Sequence, residues 1–412
     1  MNLLSQLKAT TVTELEKWCR EQAIPFDPTR VYAVVSPYRI SPLGAHVDHQ
    51  GGAVLGRTID QYSVLTFLVR ETSAEIDPKS TLSPDTANFL PTTPVAPSGW
   101  QRYAQAAAIV LHQYRPLTKG IIGVVTGSLV GAGLSSSASV ILAYLHALAF
   151  ANGFEIGSAD FVELARRVEN EQLGLNNGIQ DQTAITYGEQ ATLLHMDVYK
   201  RQVIPIADPV GVEDVCFLLA YSGFSRELLG SGFNNRVAEC RQAAQLLDPK
   251  AEILGQVAPD RRNGQNLLTL PRNLAKRARH FYDEIERVAA GQSAWANGDW
   301  VRFGRIMNQS CHSSIYQYES GSQPLVDLQD IAIEIDGVYG SRFSGGGYGG
   351  CLIMLVERAK ADTISQQVKA AYLKKYPEKA PIAHLFIAET ESTVRIETPA
   401  HINNSPIHQF TN

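Results

Sequence analysis

Two carboxylates stand twelve residues apart, Glu169 and Asp181, in the stretch VENEQLGLNNGIQDQ at 168–182. A helical pattern over Ala159–Glu171 precedes them, and in it Phe161, Ala165 and Glu169 recur every four positions on one face. A carboxylate that finishes an apolar face is costly unless it is paired, protonated or bound to a cation. Glu169 is therefore a candidate metal ligand, the plainer alternative being a glutamate at a frayed helix end that reaches solvent. Asp181 follows Asn176, Asn177 and Gly178. It fits an ordinary helix N-cap, and equally a general base or a negative electrostatic element.

Two glycine-rich turns offer complementary chemistry. GSLVGAGLSSSAS at 127–139 runs into VILAYLHALAFANG, where Val140, Ala143, Tyr144, Ala147, Leu148 and Ala151 keep helical spacing and Asn152-Gly153 is a stop signal. Gly127, Gly131 and Gly133 permit close backbone approach. The helix start that follows presents unpaired N–H groups and the positive end of the macrodipole. Together they suit an anion, phosphate first among them. The alternative is a strand-to-helix turn capped by Ser135 or Ser136, without a ligand. No G-x-x-x-x-G-K-[ST] is present, which excludes a Walker-type loop, and no H-R-D or D-F-G set, which excludes a protein kinase. Further on, RFSGGGYGGC at 342–351 has five glycines in six positions, 345–350. It reads as a hinge or as a loop over a polyphosphate.

A third segment, SPYRISPLGAHVDHQGG at 36–52, gathers Arg39, His46, Asp48, His49 and Gln50 within twelve residues. It offers donors and an acceptor to a hydroxylated ligand, or is a solvated loop. The spacing of His46, Asp48 and His49 is poor for zinc, and no fourth ligand accompanies them.

These segments need elements to hold them. Short runs rich in β-branched and aromatic residues predict strands at Val31–Ser36, Ala53–Arg57, Tyr62–Arg70, Ile121–Thr126, Thr192–Met196, Val215–Tyr221, Cys351–Glu357 and His384–Ala388. Apolar residues three and four apart predict helices at Trp100–Gln113, Ser136–Asn152, Ala159–Glu171, Asn234–Leu247, Pro271–Ala289, Gly298–Ser310, Leu325–Ile335 and Ala359–Lys374. The mixture is an α+β architecture. Five prolines between residues 73 and 100 predict a long irregular excursion. The tail from Glu391 is polar with weak strand character. A boundary falls near residue 200, dividing the chain into 1–205 and 206–412.

The whole chain of 412 residues is 44% apolar and 19% charged, so it suits a folded protein of two or three domains, two larger ones fitting equally well. A net charge of −5 argues against a dominant nucleic-acid surface. No run of about 18 apolar residues predicts a membrane span, and the N-terminus has no secretion-type pattern. Five scattered cysteines read as reduced, buried thiols of a cytoplasmic protein.

In this order and spacing the four segments resemble the GHMP small-molecule kinase superfamily, in its galactokinase branch. The resemblance implies a two-domain fold, with a ribosomal-S5-like N-terminal domain, a ferredoxin-like C-terminal domain and the active site between them. It implies ATP and Mg²⁺, with no nucleic-acid or membrane partner. GAGLSSSAS is similar to the family's phosphate loop, which assigns nucleotide binding to Gly131, Ala132, Gly133, Leu134, Ser135, Ser136 and Ser137. The last serine before alanine, Ser137, and the glutamate twelve residues before the catalytic aspartate, Glu169, would be the Mg²⁺ ligands. The pattern G-I-M-D-Q matches Gly178–Gln182 and makes Asp181 the catalytic residue, with Arg39 beside it neutralising charge. An arginine there makes the aspartate a weaker base, yet phosphoryl transfer depends more on position and charge than on basicity.

The sugar signature departs from the galactokinase pattern G-R-V-N-L-I-G-E-H-x-D-Y. Arg39, His46 and Asp48 keep their places, but the glutamate that contacts the hydroxyl on sugar carbon 6 is Ala45. Phe233, in GFNNRVAEC, stands where galactokinases carry a sugar-contacting tyrosine. The segment is more similar to the uronic-acid branch, the galacturonokinases. Two carboxylates about 4 Å apart repel by roughly 4 kcal/mol at an effective dielectric near 20. Alanine removes one of them. The implied substrate is galacturonate, bound by Arg39, Ala45, His46, Asp48, Gly178, Asp181 and Phe233 and phosphorylated at its anomeric hydroxyl. A neutral sugar such as galactose or arabinose is the alternative, and a non-catalytic sugar sensor a further one.

Overall fold

The computed structural model describes residues 2–225 and 232–403. Two sheets organise the described residues. The first holds β1 (Tyr32–Leu43), β2 (Ala53–Arg70), β3 (Asp77–Ser80), β4 (Gly120–Gly127), β5 (Thr192–Asp197) and β6 (Gln202–Ala207). The second holds β7 (Val215–Tyr221), β8 (Val338–Phe343), β9 (Cys351–Glu357) and β10 (His384–Ala388). The tail returns as β11 (Arg395–Glu397), which pairs antiparallel with β1 in the first sheet. Strand order there is β11-β1-β2-β4-β3, with β5 on β2 and β6 on β5. In the second sheet the order β10-β7-β9-β8, all antiparallel, is that of a ferredoxin-like unit.

The helices are α1 (Leu3–Glu21), α2 (Arg102–Tyr114), α3 (Ser136–Ala151), α4 (Ser158–Arg167), α5 (Gln180–Tyr187) and α6 (Gly232–Leu247). They continue with α7 (Gly264–Leu268), α8 (Arg272–Ala296), α9 (Trp300–Ser313), α10 (Gln323–Ile333), α11 (Ala361–Lys375) and α12 (Pro399–Asn403). Helices α2, α3 and α4 cover one face of the first sheet. Ala107, Leu111, Leu142, Leu148 and Leu164 pack there on Val34, Leu65 and Phe67. A second apolar cluster crosses between the sheets: Tyr38, Ile40 and Leu55 meet Phe217, Leu219, Trp295, Phe303 and Ile353.

Several sequence expectations change. The polar segment 36–52 is not a loop throughout, because β1 continues to Leu43 and is buried from Ala33 onward. Its prolines lie at irregularities of the ladder, with register shifts at Pro37/Tyr38 and between Ile40 and Leu43. The strands predicted at Ala53–Arg57 and Tyr62–Arg70 are one strand, whose first half pairs with β5 and second half with β4. The proline-rich excursion contains β3, tolerated because it is the sheet's edge. Helix α1 went unforeseen: its buried stripe is only Thr11, Leu15 and Cys19, and Asn2 caps it by accepting from Ser5 N–H at 2.9 Å. All five cysteines are free and buried. Among the described residues no helix is long and apolar enough to cross a membrane.

Candidate active site

The glycine-rich turn between β4 and α3 meets the one between β8 and β9. They pack backbone on backbone: a Cβ on Gly350, whose φ is +98°, would lie 2.4 Å from the Ala132 carbonyl oxygen. Arg39 ties both to the first sheet. Its N–H donates to Leu134 O at 3.2 Å, and its guanidinium reaches Gly133 O and Ser344 Oγ, each at 3.3 Å.

The same guanidinium donates from Nε and Nη2 to Asp181 Oδ1, at 2.9 and 2.8 Å. Ser135 Oγ donates to Asp181 Oδ2 at 2.5 Å. Ser135 sits at φ 65° and does not cap α3 with its side chain. Among the described residues, then, the first turn of α3 has no side-chain cap from Ser135, and its N–H groups suit an anion. Ser136 Oγ accepts from Gly131 N–H at 3.3 Å and closes the loop. Ala132 and Leu134 bury their side chains in the core, so only their backbone is available to a ligand. Asp181 lies in the first turn of α5, after Ile179 at the N-cap, and is not itself the cap.

Glu169 is not a frayed end. Helix α4 gives way to a widened turn over Val168–Gln172, closed by Leu173 N–H to Val168 O at 3.2 Å. Its carboxylate is 1% exposed. It accepts from Gln182 Nε2 at 2.6 Å and Asn177 Nδ2 at 3.1 Å, and lies 3.5 Å from Ser137 Oγ.

One cavity is shared by Arg39, Ala45, His46, Asp48, Asp181 and Phe233, with Gly178, Glu169 and Arg342 also in its wall. Gly178 is required by contact, since a Cβ there would fall 2.2 Å from Asp48 Oδ2. Asp48 accepts from Gln180 N–H at 3.3 Å. Burial and the Asp181 carboxylate push its carboxyl up to about 6. His46 stacks on Tyr318 with centroids 4.0 Å apart and shares a hydrogen bond with Ser320 Oγ at 3.0 Å. Phe233 lies edge-on to His49 at 5.7 Å.

His49 and Gln50, counted among the polar donors, serve the scaffold. His49 Nε2 pairs with Tyr318 Oη at 3.1 Å, and burial pushes its imidazole down to about 3. Gln50 Oε1 accepts from Leu254 N–H at 3.1 Å. Sequence reasoning also missed what holds position 45. Ala45 N–H and Gly44 N–H donate to Glu284 Oε1 at 3.1 and 2.9 Å, and Ala45 O accepts from His280 Nε2 at 2.8 Å. Both partners sit on α8, in a charged helical stretch with no local signal of the role. Burial opposes the charge of Glu284, but Arg287 and the other cations around it hold its carboxyl at about 2. Arg342 did carry a signal: it is the one cation of its strand and stands three residues before the glycine run that begins at Gly345.

Comparison with known proteins gives the family. The GHMP kinases N terminal domain model matches residues 102–189, and the GHMP kinases C terminal model residues 292–374. The chain is 38% identical to a galacturonokinase of Arabidopsis thaliana over 381 residues, 86% of this chain and 90% of that one. It is 30% identical to a Bos taurus galactokinase over 355 residues, covering 82% and 87%. The solved galactokinase of Lactococcus lactis, complexed with galactose, superposes with a TM-score of 0.85 at 26% identity, over 93% of this chain and 99% of that one. With an arginine-clamped aspartate beneath an uncapped, glycine-rich helix start and relatives of this closeness, the chain belongs to the GHMP kinases and is a sugar kinase that uses ATP.

Proposed function

We propose that this kinase transfers the γ-phosphoryl group of ATP to the anomeric hydroxyl of D-galacturonate, giving galacturonate 1-phosphate and ADP. The observation that carries the substrate choice is Ala45, 5% exposed in the wall of the cavity. A glutamate there, as in the galactokinase signature, would set a carboxylate against the acid group of the sugar. Identity of 38% to a galacturonokinase, against about 30% to galactokinases, supports the same reading.

In this reading residues 1–205 supply the phosphate loop and most of the sugar site, and 206–412 supply Phe233 and the second glycine-rich loop. The sugar lies against Arg39, His46, Asp48, Gly178 and Phe233. Backbone N–H groups of Gly131–Ser137 cradle the phosphates. The anomeric oxygen attacks the γ-phosphorus in line, the bond to the β–γ bridging oxygen breaks, and Asp181 accepts the hydroxyl proton. Arg39 fixes Asp181 and sets positive charge beside the phosphate loop. Ser137 and Glu169 suit a Mg²⁺ ion: they are hard oxygen donors 3.5 Å apart, and this ion takes few protein oxygens beside water and phosphate. When bound, it neutralises phosphate charge. Initial rates with ATP and Mg²⁺ over galacturonate, glucuronate, galactose and arabinose test the reading. Galacturonate should give the highest kcat/KM, and galactose as the best substrate would remove the argument from Ala45.

A further inference from the structure

We propose that Arg342 is the cation that receives the substrate's carboxylate, an assignment that rests on the uronate reading above. Arg342 is the penultimate residue of β8 and is 1% exposed, in the wall of the cavity that Ala45, His46 and Asp181 share. Its side chain is incompletely satisfied. Nε donates to Phe343 O and Nη1 to Ser310 Oγ, both at 3.1 Å. Among the described residues Nη2 has no hydrogen-bond partner.

Charge is unbalanced at this point as well. The nearest carboxylate oxygen, Glu284 Oε1, is 3.8 Å from Nη1, beyond hydrogen-bond distance. That oxygen already accepts from Gly44 N–H, Ala45 N–H and, at 2.6 Å, Ser310 Oγ. The other Glu284 oxygen is taken by Arg287 Nε at 2.6 Å. Two arginines thus face one carboxylate. His280, also packed here, adds no charge near neutrality, because burial holds its imidazole down at about 4. Of the other carboxylates in the cavity wall, Asp181 is paired with Arg39, Glu169 is held by Gln182 and Asn177, and Asp48 accepts from the Gln180 N–H.

A buried cation that shares its counter-ion with a second cation is only partly compensated, and a ligand carboxylate relieves the remaining cost. A guanidinium fork matches a carboxylate in two parallel hydrogen bonds, which a lysine cannot reproduce. The location is also right. Arg342 Nη1 and Ala45 N lie 3.8 and 3.1 Å from the same Glu284 oxygen, so the cation borders the space that the small side chain leaves open.

The test compares kcat/KM for galacturonate, its methyl ester and galactose in the wild type, Arg342→Gln and Arg342→Lys. Thermal melts serve as the folding control. In Arg342→Gln the ratio of galacturonate to galactose should fall by about 30-fold or more, mainly through KM for the acid. Arg342→Lys, which keeps the charge and carries the test should the glutamine variant not fold, should lower the ratio by about tenfold and narrow the gap between acid and ester. Equal losses on all three substrates, the mark of a merely structural arginine, would overturn the assignment while leaving the argument from Ala45 standing. A wild type that does not prefer the acid to galactose would overturn both.

Discussion

Ala45→Glu restores the carboxylate of the galactokinase signature, and the structure fixes where it would go. Both backbone groups of residue 45 are clamped, N–H by Glu284 Oε1 at 3.1 Å and carbonyl by His280 Nε2 at 2.8 Å. The main chain therefore cannot swing the new side chain out of the cavity. With the substrate's acid group about 4 Å away, repulsion at an effective dielectric near 20 is about 4 kcal/mol. That is about a thousandfold in kcat/KM for galacturonate. The new carboxylate would also compete for Arg342, which deepens the loss and keeps the fold tolerant of it. Ala45→Gln separates charge from bulk: it adds the same length without the charge, and overpacking of this kind costs about 1–3 kcal/mol. Initial-rate kinetics on the purified variants, with KM for ATP as the internal control, measure both effects. If the glutamate and glutamine variants lose equally, charge is not the reason alanine stands here. If neither loses, the acid group of the sugar points elsewhere.

Asp181→Asn should abolish turnover, below about one-thousandth of the wild-type rate, while calorimetry shows ATP binding nearly intact; normal turnover would remove Asp181 from the mechanism. Glu169→Gln should raise the Mg²⁺ concentration needed for half-maximal rate by about tenfold or more, and an unchanged Mg²⁺ titration would free Glu169 of the ion. Asp48 makes a prediction about stability. Its carboxyl is raised to about 6 in the folded protein, so between about pH 4 and 6 the folded state holds the extra proton and stability falls as pH rises. Asp48→Asn escapes that penalty. It should be more stable than the wild type at pH 7.5, by about 3 kcal/mol and with a higher melting temperature, with the advantage fading towards pH 4, and it should bind the sugar poorly. A less stable variant at pH 7.5 would contradict the sign.

The legible parts of this molecule are those where residue type and chain order suffice. Glu169, Asp181, Arg39 and the serines of the phosphate loop lie together because each follows a local signal: the apolar face of α4, the Gly178 turn, the strand from Val31 and the glycines before α3. The burial of Glu169 was foreshadowed by its position four residues after Ala165, though the widened turn that places it leaves no pattern in sequence. Arg39 and Ser41 read as loop because β1 is covered on both faces, where a strand need not alternate and can turn polar groups into a site. Helix α1 was hidden by a stripe of only three buried residues. Glu284, His280, Ser310 and Tyr318 were invisible for another reason. Glu284, His280 and Tyr318 touch residues of the 44–49 turn more than two hundred positions away, Ser310 joins Glu284 to Arg342, and nothing in the local chain distinguishes the four from neighbouring polar residues.

The position to which the proposed function assigns the choice of sugar is therefore not owned by the segment that carries it. Residue 45 belongs to the turn after β1, but its two backbone groups are held by α8 and its neighbouring cation comes from β8. The apolar cluster around Tyr38, Ile40, Phe217 and Trp295 fixes these elements against one another. Dense packing of that kind transmits small shifts rather than absorbing them. Charge follows the same logic. A glutamate at 45 would give two buried carboxylates for Arg287 and Arg342, a balanced set with nothing left to offer a ligand. Alanine leaves one carboxylate for two arginines, and in the proposed reading the balance closes when the substrate brings the missing charge. On that account the sugar acid is not merely admitted by a smaller side chain; it completes an ion network that the protein leaves one member short.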